Sequence, residues 1–189
     1  EVEVKWLQTL SNTSEIQEVP SFTPEALTFL NDIIVSFSLR DAERVKEIEK
    51  TTNHDVKAVE YFLKEKVESM EEVANVSEFI HFCCTSEDIN NLSYALCLEE
   101  ARANIILPTM KELISKINNN ADEYSDIPML ARTHGQPATP STLGKEFANF
   151  VYRLNRQYEQ FEKVEILGKN NGAVGNFNAH MVVYPNIDW

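Results

Sequence analysis

The sequence predicts an all-α protein, and three observations carry that expectation. None of the five glycines precedes Gly135, and a long glycine-free stretch rich in Leu, Ala, Glu and Lys favours helix. Apolar residues recur at the spacing of a helix with one buried face. No alternating run closed by an Asn-Gly or Asp-Gly turn, the mark of a hairpin, occurs anywhere. Long helices striped on one side bury the stripe against other helices, so the expected architecture is a helical bundle with loops at its ends.

The first third reads as short helices. Pro24, ahead of Glu25-Ala26-Leu27, suits a first helical turn, where its missing N–H is no loss. Asp41 is placed to cap the helix that follows it. Val56, Val59, Phe62, Leu63 and Val67 predict a further helix from about Asp55 to Ser69. A long helix starts at Thr85-Ser86-Glu87-Asp88, with Thr85 as cap and acids in its first turn. Its stripe runs Ile89, Leu92, Leu96, Ala103, Ile106, Met110, Leu113, Ile117, and Pro108 should kink or divide it.

The stretch from Asp126 to Pro140 holds Pro128, Gly135, Pro137 and Pro140, so no helix crosses it and a stiff loop is expected. Another amphipathic helix begins near Ser141, with Leu143, Phe147, Phe150, Val151, Leu154, Tyr158 and Phe161 as its buried face. Gly168 to Gly175 then breaks the helical pattern. Internal repeats, low-complexity tracts and flexible linkers are absent.

Composition bounds the function. A 189-residue chain that is 43% apolar and 25% charged can bury a core. Its net charge of −13 disfavours nucleic-acid binding by bulk charge. It leaves room for a local basic pocket that takes a small anion. The three cysteines, Cys83, Cys84 and Cys97, suggest buried apolar residues in a reducing compartment rather than a disulfide framework. His81-Phe82-Cys83-Cys84 lacks a second ligand pair at zinc spacing, so no metal is expected. No run of about 18 apolar residues predicts a membrane span. No secretory segment is read at the start, and the first and last residues, Glu1 and Trp189, are read as cut from a longer chain.

Three polar segments are candidates for chemistry. Thr51-Thr52-Asn53-His54-Asp55 is explained as a helix cap by Asn53 or Asp55, with His54 at the surface. In Thr85-Ser86-Glu87-Asp88-Ile89-Asn90-Asn91, capping accounts for Thr85 and the acids but not for paired hydroxyls followed by two asparagines. A helix start with two hydroxyls also suits a carboxylate or phosphate, provided the acid side chains point away. Arg132-Thr133-His134-Gly135-Gln136 is held between prolines and presents a histidine among hydrogen-bonding groups. That arrangement suits general acid–base work, and a stiff connector with a solvated histidine is its plain alternative.

Taken together, these segments resemble the adenylosuccinate lyase family. Thr133-His134-Gly135-Gln136-Pro137-Ala138-Thr139-Pro140 is similar to its histidine loop, and Thr85-Ser86-Glu87-Asp88-Ile89-Asn90-Asn91 to its substrate-binding helix start. Thr52-Asn53-His54-Asp55-Val56-Lys57-Ala58-Val59-Glu60-Tyr61 and Gly172-Ala173-Val174-Gly175-Asn176-Phe177-Asn178-Ala179-His180 resemble two further blocks. The likeness covers nearly the whole chain, in order.

The resemblance implies a small N-terminal helical domain over residues 1–78 and the first part of a central helical bundle over 79–189. It implies a cytoplasmic homotetramer with shared active sites, no cofactor, and β-elimination of fumarate from adenylosuccinate or the succinylated carboxamide ribotide of purine synthesis. His134 matches the family's general acid. Thr85 and Ser86 match contacts to a succinyl carboxylate, and Asn53, His54, Asp55 and Thr133 match substrate contacts. His81 is a weaker match, near phosphate.

The family's base, a serine in a Gly-Ser-Ser loop running to Met-Pro-x-Lys-x-Asn-Pro, has no counterpart among these residues. An Arg-Tyr phosphate contact is missing too, so this stretch alone is expected to be inactive. Two alternatives stay open: a sibling such as argininosuccinate lyase, and a non-catalytic helical assembly module.

Overall fold

A computed structural model describes all residues from Glu1 to Trp189. Its helices are α1 (Val2–Ser11), α2 (Pro24–Val35), α3 (Leu39–Thr52), α4 (Asp55–Val67), α5 (Glu71–Ala74), α6 (Ser86–Ala101), α7 (Leu107–Glu123), α8 (Leu143–Glu162) and α9 (Asn178–Val183). Strands β1 (Pro128–Thr133) and β2 (Gln136–Thr142) form its one sheet. No helix is long and apolar enough to cross a membrane. The chain divides into two compact units, Glu1–Ala95 with Gly168–Trp189, and Leu96–Leu167.

The first unit is built on capped, amphipathic helices. Pro24 opens α2, and the Thr23 hydroxyl accepts from the Ala26 N–H. At α3 the cap is Ser38, not Asp41. Asp41 sits in the first turn and accepts from the Ser38 N–H at 2.9 Å, completing a capping box. At α4 the cap is His54, while Asn53 ends α3 in the left-handed conformation (φ 50°). A short polar side chain supports that conformation at modest cost. Leu7, Leu10, Ile16, Leu30 and Val67 fill the core, and Tyr184, Ile187 and Trp189 pack against it. The Tyr184 hydroxyl donates to Glu18 at 2.6 Å.

The second unit is a helix pair joined by a hairpin. Pro108 falls in the first turn of α7, and a π-helical stretch over Arg102–Ile106 separates α7 from α6, so the proline divides the long helix as expected. The Arg102 guanidinium donates to the Val164 carbonyl. Ile114 and Ala121 of α7 and Gly144 and Val151 of α8 are buried. Leu96, Ile106 and Leu113, from the expected stripe, and Phe150, from the expected face of α8, are exposed in this chain.

The stretch expected to be a loop, 126–140, is instead mostly an antiparallel ribbon. Thr133 pairs with Gln136 and Pro128 with Thr142, with a bulge between Leu130 and Arg132. Prolines are excluded from central strands, but both strands of a two-stranded ribbon are edges, which tolerate them. The two turn residues have positive φ (His134 49°, Gly135 77°). Those angles describe a type I′ turn, whose twist matches that of the strands. Histidine is among the side chains that enter this region most readily.

Candidate active site

The α3–α4 junction meets the start of α6. His54 caps α4 by accepting the Lys57 N–H on Nδ1 at 3.2 Å. An acceptor nitrogen carries no proton, so in the neutral ring the proton sits on Nε2. Nε2 lies 3.2 Å from Ser86 Oγ. The ring therefore donates to the serine oxygen, and the serine's own proton is left to donate elsewhere. Beside this contact, Asn90 Nδ2 donates to Asp55 Oδ2 at 3.4 Å. The Val56 N–H, then Asn90, hold the Asp55 carboxyl below the usual carboxylate range. Asn53, His54 and Asp55 are exposed, and Thr85 and Ser86 half-buried, so this surface is open to a ligand.

Of the acids that follow Ser86, Glu87 is exposed and Asp88 is fully buried. Asp88 Oδ1 accepts from Lys169 Nζ at 2.6 Å and the Asn171 N–H at 3.2 Å. Oδ2 accepts from the Thr85 N–H at 2.9 Å and the Gly172 N–H at 3.1 Å. Burial alone would raise its pKa. Lys169, then the Thr85 and Asn171 amides, outweigh burial and hold it low. Asn91 strengthens the same junction, with Oδ1 accepting the Lys169 N–H at 2.8 Å and Nδ2 donating to the Lys169 carbonyl at 3.1 Å.

The sequence places Asp88 in the first turn of its helix and gives Lys169 no part. The one available signal was a lysine set between Gly168 and an Asn-Asn-Gly turn, which says nothing about a partner 81 positions away.

His81 lies on the connection into α6 in a left-handed conformation (φ 66°), as does Cys83 (φ 60°). His81 Nδ1 is 2.8 Å from Oε1 of Glu3, which is 2% exposed. The carboxylate raises the histidine's pKa. His180 is fully buried, and neither ring nitrogen has a partner. It stands edge-on to Trp189 (4.8 Å), Phe177 (5.4 Å) and Trp6 (5.9 Å).

Thr133 and His134 belong to the second unit, at the end of β1 and in the turn after it. Both are exposed, and neither side chain is hydrogen-bonded within the chain. The ribbon is anchored at its base, where the Leu143 N–H donates to the Ile127 carbonyl at 3.0 Å.

A family model described as lyase matches residues 1–188. The adenylosuccinate lyase of Haemophilus influenzae is 63% identical over 188 residues, which cover 100% of this chain and 41% of that protein. That of Escherichia coli strain K12 is 62% identical over 189 residues, again 100% of this chain and 41% of the relative. The chain thus spans 41% of the length of these curated relatives.

Among solved structures, a fumarate lyase from Mesorhizobium sp. BNC1 superposes with a TM-score of 0.72 at 19% identity, covering 94% of this chain and 39% of that one. A 3-carboxy-cis,cis-muconate lactonizing enzyme from Pseudomonas putida gives 0.70 at 18% identity, covering 95% and 40%. At such identities the shared property is the fold, and it is the family match over residues 1–188 that assigns the chain to the lyase family.

Proposed function

We propose that this chain is the front part of an adenylosuccinate lyase, which splits adenylosuccinate into AMP and fumarate and acts likewise on the succinylated carboxamide ribotide. The observation that carries the reading is 63% identity to an adenylosuccinate lyase over the full length of this chain. The contact between His54 and Ser86 supports it. Residues 32 positions apart meet there to make a half-open polar surface on a helix start, which suits a carboxylate.

In this reading Thr85 and Ser86 bind a succinyl carboxylate, and Asn53, His54, Asp55 and Thr133 contact the substrate. His81, whose pKa Glu3 raises, faces the phosphate. A base outside these residues takes the proton from the carbon beside a carboxylate. The C–N bond breaks, its electrons pass to nitrogen, the fumarate double bond forms, and His134 protonates the leaving nitrogen.

The reading carries with it a domain division at residue 78 and a cytoplasmic tetramer with shared sites. The exposed Leu96, Ile106, Leu113 and Phe150 are the faces such an assembly covers. The test is fumarate release from adenylosuccinate by the complete protein. Release by wild type that is abolished in His134→Ala is the expected result. A folded, complete protein that releases none overturns the reading.

A further inference from the structure

The start of α6 presents an electrostatic conflict. A helix N-terminus attracts anions through its free amides and dipole. Here the second and third residues of the helix are acids, Glu87 and Asp88, beside the hydroxyls assigned to a carboxylate. Two carboxylates there should repel a third. The structure removes the conflict in two ways. Glu87 is exposed, and Asp88 is folded inward to zero exposure and met by Lys169 at 2.6 Å.

All four in-plane lone-pair positions of Asp88 are taken, two donors on each oxygen. Two of those donors are backbone amides of the 171–172 turn, and one is the Thr85 amide at the mouth of the helix. Lys169 makes no second ion pair and spends its remaining reach on the Gly172 carbonyl at 2.8 Å. Such a fully satisfied network holds a single arrangement.

We propose that Asp88 and Lys169 form a positioning pair. Lys169 cancels the charge of Asp88, and Asp88 ties the Thr85 amide to the 169–172 loop, so that the Thr85–Ser86 helix start accepts a dianionic succinyl group. The proposal rests on the adenylosuccinate reading. Neither residue touches substrate; each acts through the helix start. Removing Lys169 alone bares a buried carboxylate behind the hydroxyls, whereas removing both charges restores neutrality. A purely structural clamp would show its loss and recovery in the thermal midpoint and leave KM in place.

The experiment is steady-state cleavage of adenylosuccinate by the complete protein as wild type, Lys169→Met, Asp88→Asn and the double variant, with thermal midpoints recorded. Lys169→Met is expected to raise KM by about tenfold while kcat stays within about threefold. The double variant is expected to recover most of that KM loss. A KM in Lys169→Met within about twofold of wild type overturns the pair, as does a double variant no better than Lys169→Met. If Lys169→Met does not fold, Asp88→Asn decides, since a loosened Thr85 amide raises KM by about fivefold and a wild-type KM overturns the proposal. Wild type without turnover overturns the adenylosuccinate reading itself, and the proposal falls with it.

Discussion

Nε2 of His54 lies 3.2 Å from Ser86 Oγ while Nδ1 of the same ring caps α4 through the Lys57 N–H. One side chain thus caps the start of a helix and orients a hydroxyl, and the two jobs separate by mutation. Asparagine is among the best capping residues, and losing a cap to alanine costs about 1 kcal/mol. His54→Asn should keep the stability of the first unit, and His54→Ala should lose about that amount by chemical denaturation. In the complete protein both variants lose the donor to Ser86, so both should lose turnover. An active His54→Asn enzyme would remove this contact from the site.

The turn at His134 offers a similar separation. Positive φ at His134 and Gly135 makes it a type I′ turn, in which Asn-Gly is the preferred pair. His134→Asn should therefore preserve or strengthen the hairpin, seen as unchanged amide protection over residues 128–142, while removing the proton donor proposed for the leaving nitrogen. Gly135→Ala does the reverse. Nothing crowds an added methyl, but φ of 77° strains it by about 1 kcal/mol. That variant should loosen the hairpin and leave the histidine's chemistry in place.

Helices with local signals were legible in the sequence. Pro24 marks the start of α2 and Pro108 the break before α7, because a missing N–H acts at its own position. The hairpin was not legible, since Pro128, Pro137 and Pro140 read as breakers unless both strands are known to be edges. Caps were misplaced by one to three residues. Asp41 yielded to Ser38, and Asn53 and Asp55 to His54, because several adjacent residues can accept the same amide. Candidate residues stood out by type, but their partners did not. His54 meets Ser86, Asp88 meets Lys169 and Glu3 meets His81 only through tertiary packing. Cys83 adopts positive φ with nothing in its identity to announce it, and His81 with only histidine's general tolerance of that region.

Two histidines should shape the pH dependence of stability in opposite senses. Burial lowers the pKa of His180, whose ring nitrogens have no partner. Below about pH 6.5 the unfolded chain binds a proton there that the folded chain refuses, so stability falls as pH drops through that value. His180→Phe should shrink the fall in thermal midpoint between about pH 7.5 and pH 5.5. His81 is raised, chiefly by Glu3, so its contribution is complete below about pH 6.5 and fades as pH rises through the folded value. Glu3→Gln should flatten that alkaline fade. Equal pH slopes in wild type and His180→Phe would show that the ring gains a partner in solution.

Gly144 on α8 lets the helix start lie directly against the end of α7. A methyl group added there would lie 2.6 Å from the Ser125 amide nitrogen and closer still to the Ala121 carbonyl oxygen, both backbone atoms at the end of α7. The Gly144 N–H donates to the Tyr124 carbonyl at 2.9 Å, so the helix start cannot retreat without giving up that bond. Backbone cannot rotate away as a side chain can, so the strain falls on the α7–α8 packing. Gly144→Ala should cost about 1–3 kcal/mol, the range for overpacking a buried site. Hydrogen exchange should locate the loss at 121–147 and leave the first unit's amides protected as before. Because the hairpin that carries His134 springs from this corner, the variant should also lower turnover in the complete protein. Unchanged stability with unchanged exchange would mean that α7 and α8 part more easily than their packing implies.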